Sequence, residues 1–252
     1  AGAAMAAVSH SLSAGMPSNN PSRSAKLTPV LQRIGYDARA VESEQAPLLR
    51  QSLIGTLGDM GDAAVVAEAR RRFDALSSDP AALDGPLKFV WLGIVAKDAD
   101  QPVWERLRAM AHAAPSAMDR AQFFQLLGQA KDQALAGQAL ALSLTDEPGK
   151  TTSAAIVSAV GAEHSMQAVD FVLAHREQYE ALIDVSARSQ ALARLGSGSA
   201  DLAMADKLAT YADRHLTPES RKVTDRAIAA IRARAGARAR LKPEIVAWLD
   251  AR

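Results

Sequence analysis

The sequence predicts an all-α protein, built as an irregular α-solenoid of antiparallel helical hairpins of the HEAT or armadillo type. Apolar residues recur at helical spacing through most of the 252 residues. No segment shows the alternation of β-branched and polar residues that is typical of strands. Hydrophobic residues make up 48% of the chain and aromatic residues only 4%, so alanine and leucine must do most of the packing, as in close-packed helices.

The clearest hairpin lies between Leu48 and Phe73. Its first helix carries a leucine at every fourth position, namely Leu49, Leu53 and Leu57. Its second helix carries apolar residues at i, i+3, i+7 and i+10, namely Val66, Ala69, Phe73 and Leu76. Each series predicts one buried stripe. Gly58, Asp59, Gly61 and Asp62 lie between the two helices. Glycine is suited to ending the first helix, and Asp62 is suited to capping the second.

The same periodicity predicts helices along the whole chain, and pairs of them recur about every 30–35 residues. The predicted helices are 3–15, 27–34, 46–58, 62–77, 86–97, 101–113, 117–128, 132–144, 151–160, 165–174, 176–185, 187–195, 199–214, 218–235 and 243–251. Ser116 with Asp119 resembles a capping box, and Thr217-Pro218-Glu219 places a proline at a first helical position.

Composition divides the chain into a short leading segment and a long helical array. Residues 1–26 are predicted to form an N-terminal helix followed by a Pro/Ser-rich loop over 17–26, and residues 27–252 to form the helical repeats. The first residue is Ala1 rather than methionine, so we expect the natural chain to begin further upstream. No uncharged apolar run approaches the ~20 residues that span a bilayer.

Charge is distributed unevenly along the chain. Residues 1–220 hold 20 Lys and Arg against 25 Asp and Glu, a balance of −5, whereas residues 221–252 hold 9 against 3, a balance of +6. A basic end of this kind can attract nucleic acid or an acidic surface. No aromatic stacking residues interleave with the arginines, so a solvated helix face is the expectation, without nucleic acid as a partner.

No catalytic, cofactor-binding or metal-binding constellation is predicted. Cysteine is absent, and no two of the five histidines are four residues apart, as a zincin helix requires. The segment Gly149-Lys150-Thr151-Thr152 ends like a phosphate-binding loop, but the upstream glycine position is occupied by Leu144. The glycines around Ser197 have the composition of a flexible loop, and no G-x-S-x-G elbow occurs.

The order of several segments resembles the C-terminal helical domain of gluzincin zinc aminopeptidases, the family of aminopeptidase N, puromycin-sensitive aminopeptidase and the endoplasmic-reticulum aminopeptidases. The matching positions within 27–73 are Ile34-Gly35-Tyr36, Leu49-Arg50, Gly61-Asp62, and Ala69 with Arg72-Phe73. Segments 104–144, 169–182 and 223–249 follow in the family's order, although Val169 and Arg176 stand where the family has tryptophan.

The resemblance implies a function through a parent enzyme. The family's HExxH and G-x-M-E-N motifs are absent from this chain, so the resemblance implies a non-catalytic domain whose partner, the enzyme's own N-terminal catalytic domain, holds the zinc. In the family such a domain encloses the active-site chamber and can contact the far end of the peptide. Arginines on a concave helical surface suit a peptide carboxylate, and the candidates are Arg232, Arg234, Arg238 and Arg240.

Two other readings stay open at this point. The chain could be a free-standing helical-repeat scaffold for a protein partner, which a start codon close upstream of Ala1 would favour. It could also bind nucleic acid through residues 221–252, which predicts retention on heparin that falls steeply with salt. Peptide specificity, oligomeric state and compartment are not predicted by the sequence.

Overall fold

A computed structural model describes residues 21–79 and 81–250, and these residues form thirteen α-helices and no strand. The predicted all-α class is therefore confirmed. The predicted helix over 3–15 lies outside the described residues. Among the described helices, none combines the length and the apolar character that crossing a bilayer requires.

The described residues fall into two compact units, 21–132 and 133–250. The helices of the first unit are α1 (Pro21–Ile34), α2 (Ala46–Asp59), α3 (Ala63–Ala75), α4 (Lys88–Lys97), α5 (Gln101–Ala113) and α6 (Ala117–Leu127). Each packs mainly on helices near it in the sequence: α2 contacts α1, α3 and α4, and α4 also contacts α5 and α6. Packing between sequence neighbours is the pattern of a solenoid.

The second unit repeats this arrangement with seven helices among its described residues. They are α7 (Gln133–Ser143), α8 (Lys150–Glu163), α9 (Ser165–Ala174), α10 (Arg176–Leu182), α11 (Val185–Gly196), α12 (Leu202–His215) and α13 (Lys222–Asp250). Helix α8 contacts α7, α9, α10 and α11, while α11, α12 and α13 contact one another. Helices α8 to α12 line the two grooves of this unit, and α13 carries the four candidate arginines.

The turn between α2 and α3 forms as the sequence predicts. Gly61 has φ of +71°, and its N–H donates to the carbonyl of Gly58 at 3.0 Å. The N–H of Asp62 donates to the carbonyl of Leu57 at 2.9 Å, which completes a Schellman motif. The Asp62 carboxylate then accepts from the N–H groups of Ala64 and Val65, so Asp62 caps α3.

The buried stripes of this hairpin differ in detail from the predicted ones. Leu53 and Leu57 are buried, but Leu49 is 44% exposed, and the buried position one turn before Leu53 is Arg50. In α3 the buried series is Val65, Ala69 and Phe73, at intervals of four, whereas the predicted Val66 is only half-buried. Four-residue spacing follows one face of the helix, so the stripe runs through Val65.

The predicted helix boundaries differ most from the structure in α1 and α13. Helix α1 already includes Pro21 to Lys26, which fall inside the predicted loop 17–26. Thr217 and Ser220 bond each other's N–H groups with their side chains as a cap, but residues 218–221 form turns and α13 begins at Lys222. Helix α13 then runs unbroken for 29 residues through Gly236 and Pro243, because the surrounding alanines and arginines are strong helix formers.

Candidate functional site

The histidines do not form a metal site in the described part of the chain. Within it, no group of three His, Cys, Asp or Glu side chains could hold a metal ion. His175 packs on Phe171 at 4.7 Å between ring centroids, and His215 packs on Tyr211 at 5.2 Å. Each of these two imidazoles packs on the aromatic ring four residues before it in the chain.

The two loop motifs noted in the sequence also have structural roles. Gly149 precedes α8 with φ of +81°, and its carbonyl accepts from Ser153 at 2.8 Å, so the segment Gly149-Lys150-Thr151 opens a helix. Gly196 ends α11, and a Cβ placed there would lie 2.7 Å from the Met204 sulfur. The glycine is therefore explained by close contact with α12.

All four predicted peptide contacts lie on α13, but they do not share a face. Successive residues of an α-helix are rotated by about 100°. Arg234 and Arg238 are one turn apart and lie above one another, whereas Arg232 lies on nearly the opposite side from Arg234. The structure therefore does not bring the four guanidinium groups together.

Arg234 and Arg232 already have partners within the second unit. The Arg234 Nε donates to the carbonyl of Ser199 at 2.9 Å, and its Nη2 donates to the carbonyl of Ser197. Arg234 thus fixes the loop between α11 and α12. The Arg232 guanidinium lies 3.6 Å from the Asp206 carboxylate, and both side chains are largely exposed.

Arg238 and Arg240 are exposed on α13, and no residue between Ile231 and Pro243 of this helix is buried. Neither forms a hydrogen bond or ion pair with the described residues. A guanidinium in this state has all five N–H donors available to a carboxylate. Of the four predicted contacts, these two are the best suited to a ligand.

A groove of about 540 Å³ runs along α12, with one wall residue from α9. Its lining residues are Leu173, Ala203, Asp206, Lys207, Thr210, Tyr211, Arg214 and His215. Leu173 belongs to α9, and the others follow one face of α12 from its first turn to its last. A volume of this size is within the range of ligand-binding clefts, about 300–1,000 Å³.

The charges along this groove are mostly paired, except at one end. Lys207 forms an ion pair with Asp170 of α9, and Asp206 faces Arg232. Burial raises the pKa of the Tyr211 phenol, and the neighbouring Glu180 raises it further, so this side chain stays neutral at pH 7. Arg214 is exposed and has no hydrogen bond or ion pair with the described residues. It is therefore an available cation at the end of a partly apolar groove.

Arg214 was not among the residues predicted from the sequence, because it lies outside the strongly basic segment 221–252. The signal was present locally, because Asp206, Thr210 and Arg214 recur at intervals of four and predict one polar face on α12. Only the packing of Leu173 against this face converts it into a groove.

Comparison with known families gives one match that covers most of the chain. The model of the ERAP1-like C-terminal domain matches residues 6–233. The matched region includes the groove on α12 and the first turns of α13, while Arg234, Arg238 and Arg240 lie just beyond it. A comparison with curated proteins returned no match.

Proposed function

Since the chain belongs to the ERAP1-like C-terminal domain family, we propose that it is the non-catalytic C-terminal domain of a zinc aminopeptidase, which removes N-terminal amino acids from peptides. The family match over residues 6–233 is the observation that carries this proposal. The zinc ion and the peptide-hydrolysing groups belong, in this proposal, to the enzyme's own preceding catalytic domain. The helical domain encloses the active-site chamber and contacts the peptide.

The groove on α12 supports the peptide-binding part of the proposal. Leu173, Ala203 and Tyr211 provide an apolar surface for peptide side chains, and Arg214 provides a cation at its end. A guanidinium can form two parallel hydrogen bonds to a carboxylate, and such charge-assisted pairs are stronger than neutral ones. We therefore propose Arg214 as the principal contact for the peptide carboxylate, with Arg238 and Arg240 as secondary contacts.

The proposal is tested by the binding of a fluorescent decapeptide to the pure chain, measured by anisotropy. A decapeptide with a free C-terminal carboxylate is expected to bind about ten times more tightly than its C-terminal amide, because one charge-assisted pair is lost in the amide. Arg214→Gln is expected to remove this difference. Arg238→Gln and Arg240→Gln are expected to reduce it.

Arg226→Gln is the matched control. Arg226 is also exposed, and its substitution removes the same charge as Arg214→Gln. It lies in the first turns of α13 and does not line the groove. Equal affinities of the acid and the amide for the wild-type chain would reject the carboxylate contact. An equal loss in Arg226→Gln and Arg214→Gln would show that only overall charge matters.

A further inference from the structure

A second, smaller groove lies on another face of the unit formed by residues 133–250. It has a volume of about 200 Å³ and lies between α8, α10 and α11. Ala154 and Ser158 of α8 are one turn apart, while Tyr179 belongs to α10 and Ile183 directly follows the end of α10. The residues from α11 include Ala191 and Arg194. Three helices thus each contribute one face to a single depression.

The groove exists because its walls are built from small side chains. Alanines such as Ala154 and Ala191 line it, so their helices leave space that a leucine or phenylalanine would fill. Ile183 adds an apolar wall, and Tyr179, only 4% exposed, forms a rigid aromatic surface. Water in an apolar depression finds few hydrogen-bond partners, so an apolar ligand is favoured there over water.

One cation stands at this groove without an acidic partner. The Arg194 guanidinium donates to the Gln190 side chain at 3.1 Å and forms no ion pair with the described residues. It lies close enough to Tyr179 to oppose, by its charge, the rise in the pKa of the phenol that burial causes. No Asp or Glu is among the described residues that line the groove. The site therefore combines an apolar interior with a single positive charge at its edge.

From this combination we infer that the groove is a binding site for a small monocarboxylate with a compact apolar body, such as a branched-chain or aryl acid. The apolar body occupies the space between the alanines, and the carboxylate pairs with Arg194. The Tyr179 hydroxyl is available as a second hydrogen-bond donor. This inference is independent of the peptide contact proposed for the groove on α12.

Size and charge narrow the class of ligand. A volume of 200 Å³ is below the range of clefts that hold drug-sized ligands, so it fits a body of about one amino-acid side chain. A free amino acid fits poorly, because its ammonium group finds no carboxylate in the lining. A neutral amide of the same shape lacks the charge that Arg194 would recognise.

The test uses ligand-observed NMR titration of the full chain with 4-methylpentanoate. The Kd is expected to be on the order of 1 mM, as for a small fragment. The neutral 4-methylpentanamide and zwitterionic leucine are expected to bind at least about ten times more weakly. Arg194→Gln, an exposed position that leaves the core intact, is expected to weaken acid binding by about the same factor, and Ala191→Leu to abolish it by filling the groove.

Two matched controls lie on α13 and line neither groove: Arg226→Gln removes an exposed cation, and Ala229→Leu adds bulk at an exposed position, so both are expected to leave the acid's Kd unchanged. Equal binding of acid and amide would overturn the inference, as would an equal effect of Arg226→Gln and Arg194→Gln. A peptide ending in leucine that binds through Arg194 when the free acid does not would also overturn it, by assigning the groove to a peptide.

Discussion

The two units bury different kinds of side chain. In the unit of residues 21–132, the buried residues include Phe73, Trp91, Trp104, Phe123 and Phe124. In the unit of residues 133–250, the residues described as buried are mainly alanine, valine, leucine and isoleucine. Among residues 133–243, whose burial the structure describes, the buried aromatic residues are Tyr179 and Tyr211. We refer to these as the aromatic-packed unit and the alanine-packed unit.

The aromatic-packed unit fills its interior with rings and places cations over them. The Arg106 guanidinium lies 4.3 Å from the centroid of Phe73, and the Arg72 guanidinium lies 5.0 Å from that of Trp91. Both grooves described above lie in the alanine-packed unit. Small side chains allow helices to approach closely but leave depressions where the helices diverge. The two grooves thus lie in the unit that is packed mainly by small side chains.

The largest expected effect is the loss of a buried ring from the aromatic-packed unit. Phe124 is fully buried, and its ring packs on His112 at 5.7 Å and under Arg120 at 5.3 Å. Phe124→Ala is expected to lower the free energy of unfolding by about 4 kcal/mol, because a large cavity forms and the ring contacts are lost. Urea denaturation followed by circular dichroism measures this change.

Leu208→Ala is the matched truncation in the alanine-packed unit. Leu208 is also fully buried, and its truncation is expected to cost about 3 kcal/mol, because leucine leaves a smaller cavity than phenylalanine. A larger loss for Leu208→Ala than for Phe124→Ala would contradict the distinction between the two units.

Close helix contacts at glycines give the next largest effect. A Cβ at Gly58 would lie 2.4 Å from the Cγ1 of Ile94, next to the stiff branch point of that side chain. A Cβ at Gly161 would lie 2.7 Å from the Cδ2 of Leu195, which is the end of a flexible side chain. Gly58→Ala is expected to destabilise by about 2 kcal/mol, and Gly161→Ala by about 1 kcal/mol or less.

Gly55→Ala controls for helix propensity within α2. The nearest atom to a Cβ at Gly55 is the Val90 Cγ1 at 3.9 Å, an ordinary contact. This variant is expected to stabilise the chain by up to about 1 kcal/mol, because alanine is a better helix former than glycine. If Gly58→Ala were as stable as Gly55→Ala in thermal unfolding, the close contact between α2 and α4 would be refuted.

A smaller effect, a gain in stability, is expected when Thr224 in the alanine-packed unit is replaced by valine. Thr224 is 1% exposed, and its hydroxyl has no hydrogen-bond partner. Thr224→Val keeps the shape and removes the unsatisfied hydroxyl, so unfolding is expected to require about 1 kcal/mol more. Ser143→Ala is expected to lower stability instead, because the Ser143 hydroxyl donates to the Leu140 carbonyl at 2.6 Å and the substitution removes this hydrogen bond. A loss of stability in Thr224→Val would show that the hydroxyl has a partner after all.

The smallest effect concerns acid sensitivity of the aromatic-packed unit. Hydrogen bonds from Arg50 lower the pKa of Glu42 below its usual value of 4.5, and those from Arg71 and Arg72 lower the pKa of Glu68. A carboxyl whose pKa is lower in the folded state adds stability above about pH 4.5, and this stability is lost as the pH falls through the lowered value.

Glu42→Gln and Glu68→Gln are therefore expected to flatten the dependence of unfolding free energy on pH below about 4.5. Glu177→Gln is the control, because Glu177 is exposed on α10 and has no ion pair among the described residues. An unchanged pH dependence in both variants would show that these pairs are too exposed to contribute.

Local signals in the sequence predicted the caps better than the buried faces. Asp62 and Ser116 cap their helices as predicted, because an N-cap is decided by a few adjacent residues. The exposure of Leu49 and the burial of Arg50 depend on the loop before α2. Arg50 donates to the carbonyl of Gly35 at 3.0 Å and to Glu42 at 2.5 Å, contacts that no helical period could reveal.

The candidate sites were predicted only in part for the same reason. The composition of the sequence shows that α13 is basic. It does not show that Arg234 donates hydrogen bonds to the carbonyls of Ser197 and Ser199, because these contacts depend on tertiary packing. The grooves beside Arg214 and Arg194 form where helices distant in sequence diverge. The family could be recognised from the sequence, because the order of its short motifs does not depend on these tertiary contacts.

Turnover of leucine p-nitroanilide by the pure chain, with one equivalent of zinc, tests the central claim most directly. No release of nitroaniline beyond that in zinc buffer is expected, because in the proposed function the zinc ion and the hydrolysing groups belong to the preceding catalytic domain. Release that rises in proportion to the chain and stops on addition of a chelator would contradict it.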